Sequence, residues 1–397
     1  MKILTFSTLY PNGARPGLGV FVETRLRQLM ESRRVEARVV APVPWFPSAN
    51  ARFGRYAAFA RAPREETRYG IEVMHPRYLS VPGIGMSAAP YLLAAGARPL
   101  MQRMLRRGYD FDIIDAHYFY PDGVAAAMLG KKLGKPVVIT ARGTDINLLP
   151  QYALPRRMIL WAAKCAAALV TVSSALKTAL TQLGVDAGKI TVLRNGVDTR
   201  LFNPADRALQ RARLGLSGTV LLMVGNLVPL KEHALVLRAL ADFPDACLLI
   251  IGEGGEERNL KMLAGALRIQ DRVRFLGAMP QARLPAFYAA ADALVLASSR
   301  EGWPNVLLEA MACGTPVVST AVGGTPEIVA VPEAGVLMTG RSASAVVEAL
   351  QRLFRNYPDR GLTRRYAERF SWDDTTRGQL ALFDRILGGA APLHGAG

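Results

Sequence analysis

The chain has 397 residues, half of them hydrophobic, and carries a formal net charge of +17. That length suits two domains, each able to bury an ordinary core, and no run of about 18 uncharged apolar residues is present to cross a bilayer. The basic surplus is uneven, with 27 basic and 13 acidic residues through Asp198 against 22 and 19 beyond it, so the first half is the part that favours an anionic partner.

Met1-Lys2 leads straight into the strand-like run Ile3-Leu4-Thr5-Phe6, so a soluble cytoplasmic protein without a secretory leader is expected. Cys165, Cys247 and Cys313 form no CxxC pair and no metal-ligand spacing. They are expected to be buried, reduced thiols.

In chain order, the first half offers strands at Lys2–Ser7, Ala37–Val43, Ile71–His75, Ile113–His117, Val137–Ala141, Leu169–Ser173 and Ile190–Leu193. Amphipathic stretches lie between several of them, such as Val20–Met30, with Val22, Leu26, Leu29 and Met30 at helical spacing. The second half offers Val220–Val224, Leu248–Ile251, Val273–Leu276, Ala293–Leu296 and Val317–Ser319. Runs that are apolar on successive residues suit strands covered on both faces, and their alternation with helices implies parallel βαβ units. The expected fold class is therefore α/β, with two doubly wound domains meeting near Asp198–Pro204 and a cleft between them.

In such sheets ligands gather beyond the C-terminal ends of strands, where helix N-termini present free N–H groups. The first strand runs out toward Pro16-Gly17-Leu18-Gly19-Val20, a Gly-x-Gly turn without the third glycine of a dinucleotide fingerprint. Among the four histidines, His117 ends a predicted strand at the expected cleft edge and is the one site candidate. The next strand ends in Arg142-Gly143-Thr144-Asp145, a composition suited to phosphate or hydroxyl recognition, with a helix N-cap as the other role for Asp145. In the second half, Gly225-Asn226 leads to Lys231, then come Gly252-Glu253-Gly254-Gly255 with Arg258, then Leu276-Gly277, then Glu301-Gly302-Trp303-Pro304-Asn305. Four successive strand ends of this kind form a coherent nucleotide-phosphate site. Asp110-Phe111-Asp112 has Asp-x-Asp spacing but enters a strand rather than leaving one, so no metal site is expected.

Together these residues resemble the retaining glycosyltransferases of family 4. The hallmark is Glu-x7-Glu, here Glu301 to Glu309, followed by Gly314-Thr315-Pro316-Val317. Asn195-Gly196-Val197-Asp198, Val322–Glu327 and Phe370-Ser371-Trp372 stand around it. The resemblance implies the GT-B fold of two facing Rossmann-like domains. Residues 1–198 would then bind the acceptor and residues 199–373 a nucleotide sugar such as a UDP-hexose, with a helix around 374–388 packing back on the first domain. It implies Lys231 at the diphosphate, Glu301 at the donor sugar hydroxyls and Glu309 at the ribose. The backbone of Gly302, Trp303, Asn305 and Val306 would meet phosphate, and Leu276-Gly277 would face the base. His117, Gly17 and Gly19 would face the transferred sugar and the acceptor. No cofactor and no metal is implied.

Two departures matter. The family often has arginine where Asn226 stands, and His-Gly-x-Asp where this chain has Arg142-Gly143-Thr144-Asp145, so Arg142 is a candidate for the missing positive charge, as is Arg258.

The resemblance implies transfer of a sugar to an acceptor hydroxyl with retention, in assembly of bacterial surface polysaccharide or glycolipid. A nucleotide-sugar epimerase, a phosphorylase, and a basic membrane-binding module without catalysis are the competing readings. No nucleic-acid module is recognisable. Arg52, Arg55, Arg61, Arg64 and Arg68 lie near Trp45, Phe46, Phe53, Tyr56 and Phe59, beside the apolar Ile84–Leu93. That composition fits an interfacial anchor on an anionic inner membrane, suited to a lipid-linked acceptor.

Overall fold

The structure, a computed structural model, describes residues 1–80 and 85–388. The chain divides into two compact units, Met1–Leu193 together with the chain from Asp373 onward, and Arg194–Trp372.

The first unit is built on an eight-stranded sheet in the order Ile190–Val192, Ala168–Thr171, Val137–Ala141, Ile113–His117, Lys2–Phe6, Glu36–Val40, Ile71–Met74, Glu65–Arg68. All neighbours run parallel except the last pair. The antiparallel edge strand Glu65-Glu66-Thr67-Arg68 has no apolar run, which is why the sequence pattern does not reveal it; charges on an edge strand discourage pairing with another chain. Val22, Leu26 and Leu29 of the Val20–Glu31 helix pack on Ile3, Val39 and Ile113 of the sheet. The last helix, Trp372–Gly388, adds Leu380, Leu382 and Phe383 to that same core.

The second unit holds a six-stranded, wholly parallel sheet in the order Val273–Phe275, Ala246–Ile251, Thr219–Val224, Ala293–Leu296, Val317–Thr320, Gly335–Met338. Its strands are apolar on successive residues because helices cover both faces. Leu221, Leu248, Val295 and Val318 meet Leu237, Val346 and Leu350 in one core. Gly335–Met338 is a strand the sequence pattern misses. It is short, and its Gly335 must be glycine because a Cβ there would lie 1.9 Å from the Val317 carbonyl oxygen.

One expectation is corrected. Of the three thiols only Cys313 is buried; Cys165 is exposed and Cys247 lies between. In the last turn of the Ala153–Cys165 helix, Ala162 and Ala163 face the core while Lys164 and Cys165 fall on the exposed side of this amphipathic helix. Among the described residues no helix is long and apolar enough to cross a membrane. No group of three or more His, Cys, Asp or Glu residues could hold a metal ion there either. Asp112 instead accepts from the Lys2 backbone N–H, and Asp110 pairs with Lys135.

Candidate active site

An open parallel sheet forms its ligand crevice where the strand order reverses, because there the two adjacent outgoing loops turn apart. In the second unit that point lies between Thr219–Val224 and Ala293–Leu296. The loops leaving these two strands bring Lys231 and Glu301, 70 residues apart, to a 2.7 Å ion pair between Nζ and Oε1. The Ser299 N–H donates to the Leu230 carbonyl oxygen at 2.9 Å, tying the same two loops at the backbone.

The glycines here are demanded by close backbone approach. Gly252 has φ 147°, and a Cβ on it would sit 1.9 Å from the Gly225 carbonyl oxygen. At Gly254 a Cβ would sit 2.2 Å from the Leu227 carbonyl oxygen, and at Gly323 only 1.8 Å from that of Glu301. The strand-end loops are stitched side by side: Gly225 N–H donates to Ile251, Leu227 to Glu253 and Gly252 to Gly277, each at 2.9 Å. Leu276 and Gly277 are half-buried at the end of this row, whereas Asn226 and Arg258 are exposed at its surface.

The Asn305–Ala312 helix starts at Pro304 with no side chain capping it, so its first N–H groups have no partner within the helix. Leu307, Leu308 and Met311 are fully buried. Trp303 is a support rather than a surface: its Nε1–H donates to the Asn195 carbonyl oxygen at 3.0 Å and its ring lies 6.0 Å from that of Phe370. Asn305 Oδ1 accepts from Asn195 Nδ2 at 3.2 Å. The backbone of Gly302, Trp303, Asn305 and Val306 thus forms the helix entrance, while the Trp303 side chain is spent on packing.

Glu309, one turn into this helix, is 6 % exposed. Tyr288 Oη donates to Oε2 at 2.8 Å, and Gln281 Nε2 to Oε1 at 3.1 Å. Burial raises its pKa, and these two hydrogen bonds work against that. Neither partner is visible in the Glu-x7-Glu spacing, since both come from a separate segment of chain. Ser298 Oγ and His233 Nδ1, neighbours in sequence of Glu301 and Lys231, are buried without a protein hydrogen-bond partner. They are further polar groups of this region that no motif had marked.

In the first unit the order reverses between Lys2–Phe6 and Ile113–His117. The side chain of Ser7 crosses that point, its Oγ–H donating to the His117 carbonyl oxygen at 3.0 Å. Thr8 donates to Asp122 through its backbone N–H, and through Oγ1 at 3.0 Å.

His117 is 1 % exposed. Arg142 Nη2 lies 2.6 Å from Nδ1 and Asp115 Oδ2 lies 3.2 Å from Nε2. A guanidinium can only donate, so Nδ1 is the acceptor and Nε2 carries the proton toward Asp115. Burial pushes the ring's pKa down to about 4, against the pull of Asp115. Burial works to raise Asp115, but His117, Arg25 and Arg142 hold it below the usual carboxylate range. Gln379 completes the cluster, donating to Asp115 Oδ2 at 2.9 Å and accepting from Arg25 Nε at 2.9 Å. Asp115, Arg25 and Gln379 escape a motif reading because each sits inside an ordinary strand or helix. The guanidinium of Arg142 also stands over the Phe21 ring, 5.1 Å from its centroid.

Asp145 turns its carboxylate onto the loop itself, accepting from the N–H groups of Phe119 at 2.6 Å, Gly143 at 2.7 Å and Arg142 at 3.1 Å. Gly19 takes φ 63° at the start of the Val20–Glu31 helix, and a Cβ there would fall 2.2 Å from the Leu9 carbonyl oxygen. Gly17 is exposed with open space around it. The two glycines of one turn therefore do different things.

Two doubly wound units, one with a Lys–Glu pair and glycine-lined loops at its switch point, define the class of protein as a GT-B glycosyltransferase. The sequence model for "Glycosyl transferases group 1" matches residues 206–370, and that for "Glycosyltransferase Family 4" matches residues 17–201. A glycosyltransferase named for teichuronic acid biosynthesis, TuaC of Bacillus subtilis, is 31% identical over 363 residues, covering 89% of each chain. A D-inositol 3-phosphate glycosyltransferase of Acidothermus cellulolyticus is 32% identical over 330 residues, covering 75% of this chain and 72% of the relative. The chain belongs to glycosyltransferase family 4. Its fold is shared with sucrose-phosphate synthase from Thermosynechococcus elongatus, at TM-score 0.80 and 19% identity over 98% and 99% of the two chains. The Anabaena HepE structure, in complex with UDP and glucose, aligns at TM-score 0.70 and 24% identity over 96% and 98%.

Proposed function

We propose that this glycosyltransferase moves a hexose from a nucleoside-diphosphate sugar to an acceptor hydroxyl with retention of anomeric configuration, in assembly of bacterial surface polysaccharide or glycolipid, and without a metal. The observation that carries this reading is the Lys231–Glu301 pair at the second unit's switch point. A nucleoside diphosphate needs a cation and free N–H groups; Lys231 and the entrance of the Asn305–Ala312 helix offer both. On entry, the diphosphate takes over Lys231, and Glu301 is released to accept hydrogen bonds from the sugar hydroxyls. Glu309, held by Tyr288 and Gln281, meets the ribose; Gly252, Gly254 and Gly277 let the backbone close on the nucleotide, and Leu276 lies beside the base. Asn226 and Arg258, at the exposed rim, bear on phosphate from outside.

In the transfer, the bond from the anomeric carbon to the leaving phosphate oxygen breaks and the bond to the acceptor oxygen forms on the same face. The acceptor proton passes to the departing diphosphate. Charge gathers on that diphosphate, so donors already fixed in place stabilise the transition state more than the ground state. The first unit supplies the acceptor side, with His117 and Arg142 at the sugar, Asp145 holding their loop, and the Gly17–Gly19 turn beside them. The relative named for teichuronic acid biosynthesis supports an acceptor in polysaccharide assembly, the one named for D-inositol 3-phosphate points instead to a small phosphorylated acceptor, and the UDP-bound HepE structure supports a uridine donor.

The test is a donor screen that detects released UDP or GDP, run with water-soluble and lipid-linked acceptors, followed by NMR of the new anomeric centre. Donor consumed without acceptor, or an inverted product, overturns the reading.

A further inference from the structure

The Gly85–Arg106, Val124–Leu133 and Ala153–Cys165 helices of the first unit pack against one another. Where they meet, a groove of about 710 Å³ opens, a size usual for sites that take small molecules. Its floor is apolar, with Leu129 and Met158 buried and Met128 and Trp161 half-buried. Its lip is apolar too, since Tyr91 is 57% and Leu154 42% exposed. Three exposed cations, Arg98, Lys132 and Arg157, line the same groove, and no carboxylate does.

This combination restricts what can occupy the groove. A purely apolar occupant would strip water from three like charges and give nothing back. A simple anion would leave the aromatic and aliphatic lip in water. An amphiphile with an anionic head satisfies both halves at once. The expected anchor at residues 45–68 is less suited to this task. Phe46 stacks on Tyr56 at 5.5 Å and meets Phe53 edge-on at 5.4 Å, and Arg52 lies over the Phe53 ring, so these rings pack on one another and Trp45, 53% exposed, is the main apolar side chain they leave open to water. Ile84 and the side chain of Arg55 lie outside the described residues.

We propose that the groove seats one acyl chain of an anionic phospholipid, its phosphate held by Arg98, Lys132 and Arg157, and so docks the first unit on an anionic bilayer. Nothing in this requires the donor site, so docking and sugar transfer fail separately.

The experiment is co-sedimentation of the full chain with vesicles of phosphatidylcholine, with and without phosphatidylglycerol. Binding is expected only with phosphatidylglycerol. Reversing Arg98, Lys132 and Arg157 together to Glu should weaken it by on the order of a hundredfold. Replacing Tyr91 and Leu154 together by Asn should also weaken it, and both variants should keep the parent's thermal melt and its nucleotide release with a water-soluble acceptor. Phosphatidylglycerol brominated on its chains should quench tryptophan fluorescence in the parent and in Trp45→Phe, but much less in Trp161→Phe. Equal binding to both vesicle types, parent-like binding by either groove variant, or quenching that depends on Trp45 instead of Trp161 overturns the proposal. So does displacement of the protein from vesicles by duplex DNA.

Discussion

Lys231 and Glu301 satisfy each other at 2.7 Å, so removing either leaves the other carrying an uncompensated charge in a shielded place. Lys231→Ala and Glu301→Gln are each expected to lower kcat by about 10²–10³-fold, the usual cost of one fixed donor or its partner. Steady-state nucleotide release measures this, and a Glu301→Gln enzyme of parental rate would remove Glu301 from the reaction. Asp122 makes a different kind of prediction. Burial pushes its pKa up to about 7, against the hydrogen bonds from Thr8. The native state therefore holds a proton on Asp122 that the unfolded chain gives up at lower pH, and this group subtracts stability as pH rises toward 7 and beyond. Buried His117, depressed to about 4, has the opposite sign, its contribution growing up to the ordinary histidine range. The two oppose each other in the parent, so the informative quantity is the difference between Asp122→Asn and parent. Melts from pH 5 to 8 should show the variant gaining relative stability as pH rises; parallel curves would refute the assignment.

At the scale of elements, the strand-to-helix turns do the positioning, and their glycines differ sharply in what they bear. Gly19, with φ 63° and a Cβ site 2.2 Å from the Leu9 carbonyl oxygen, cannot take a side chain without moving the start of the Val20–Glu31 helix. Gly17, two residues earlier, has open space. Gly19→Ala should therefore destabilise by about 1–3 kcal/mol and raise the acceptor KM, while Gly17→Ala should be close to neutral. Chemical denaturation and acceptor titration of the pair decide it. The Glu301–Glu309 segment shows how an element divides its labour: Leu307, Leu308 and Met311 anchor the helix, and Glu309 tolerates burial because Tyr288 and Gln281 meet its oxygens.

On the scale of the whole molecule, the chain leaves the first unit after Leu193 and returns to it at Asp373. Gln379 of the returning helix stands between Arg25 and Asp115 in the first unit's interior. Gln379→Leu would leave a buried guanidinium and a buried carboxylate each short of a hydrogen bond, at a cost of about 1–3 kcal/mol, or roughly 3–10 °C in melting temperature. Because Asp115 orients His117, the variant should also shift the pH profile of kcat, a readout that a merely structural role would leave unmoved.

The sequence by itself determined the architecture and the family. Continuous apolar strands such as Ala246–Ile251 and Ala293–Leu296, alternating with amphipathic helices, admit few folds but a wound parallel sheet, and the Glu301–Glu309 spacing with Gly314-Thr315-Pro316 marks the family. It also showed which strand ends carry polar residues, because local pattern and turn chemistry are written along the chain. Only the tertiary structure decided which of those residues meet. Lys231 reaches Glu301 across 70 positions of chain, and Tyr288, Gln281, Asp115 and Gln379 enter the picture solely through packing. The charged edge strand Glu65–Arg68 was illegible for the same reason: its place in the sheet comes from pairing with Ile71–Met74 and not from its own residues. Periodicity records the environment each residue prefers, whereas a hydrogen bond between distant residues depends on where the whole chain has gone.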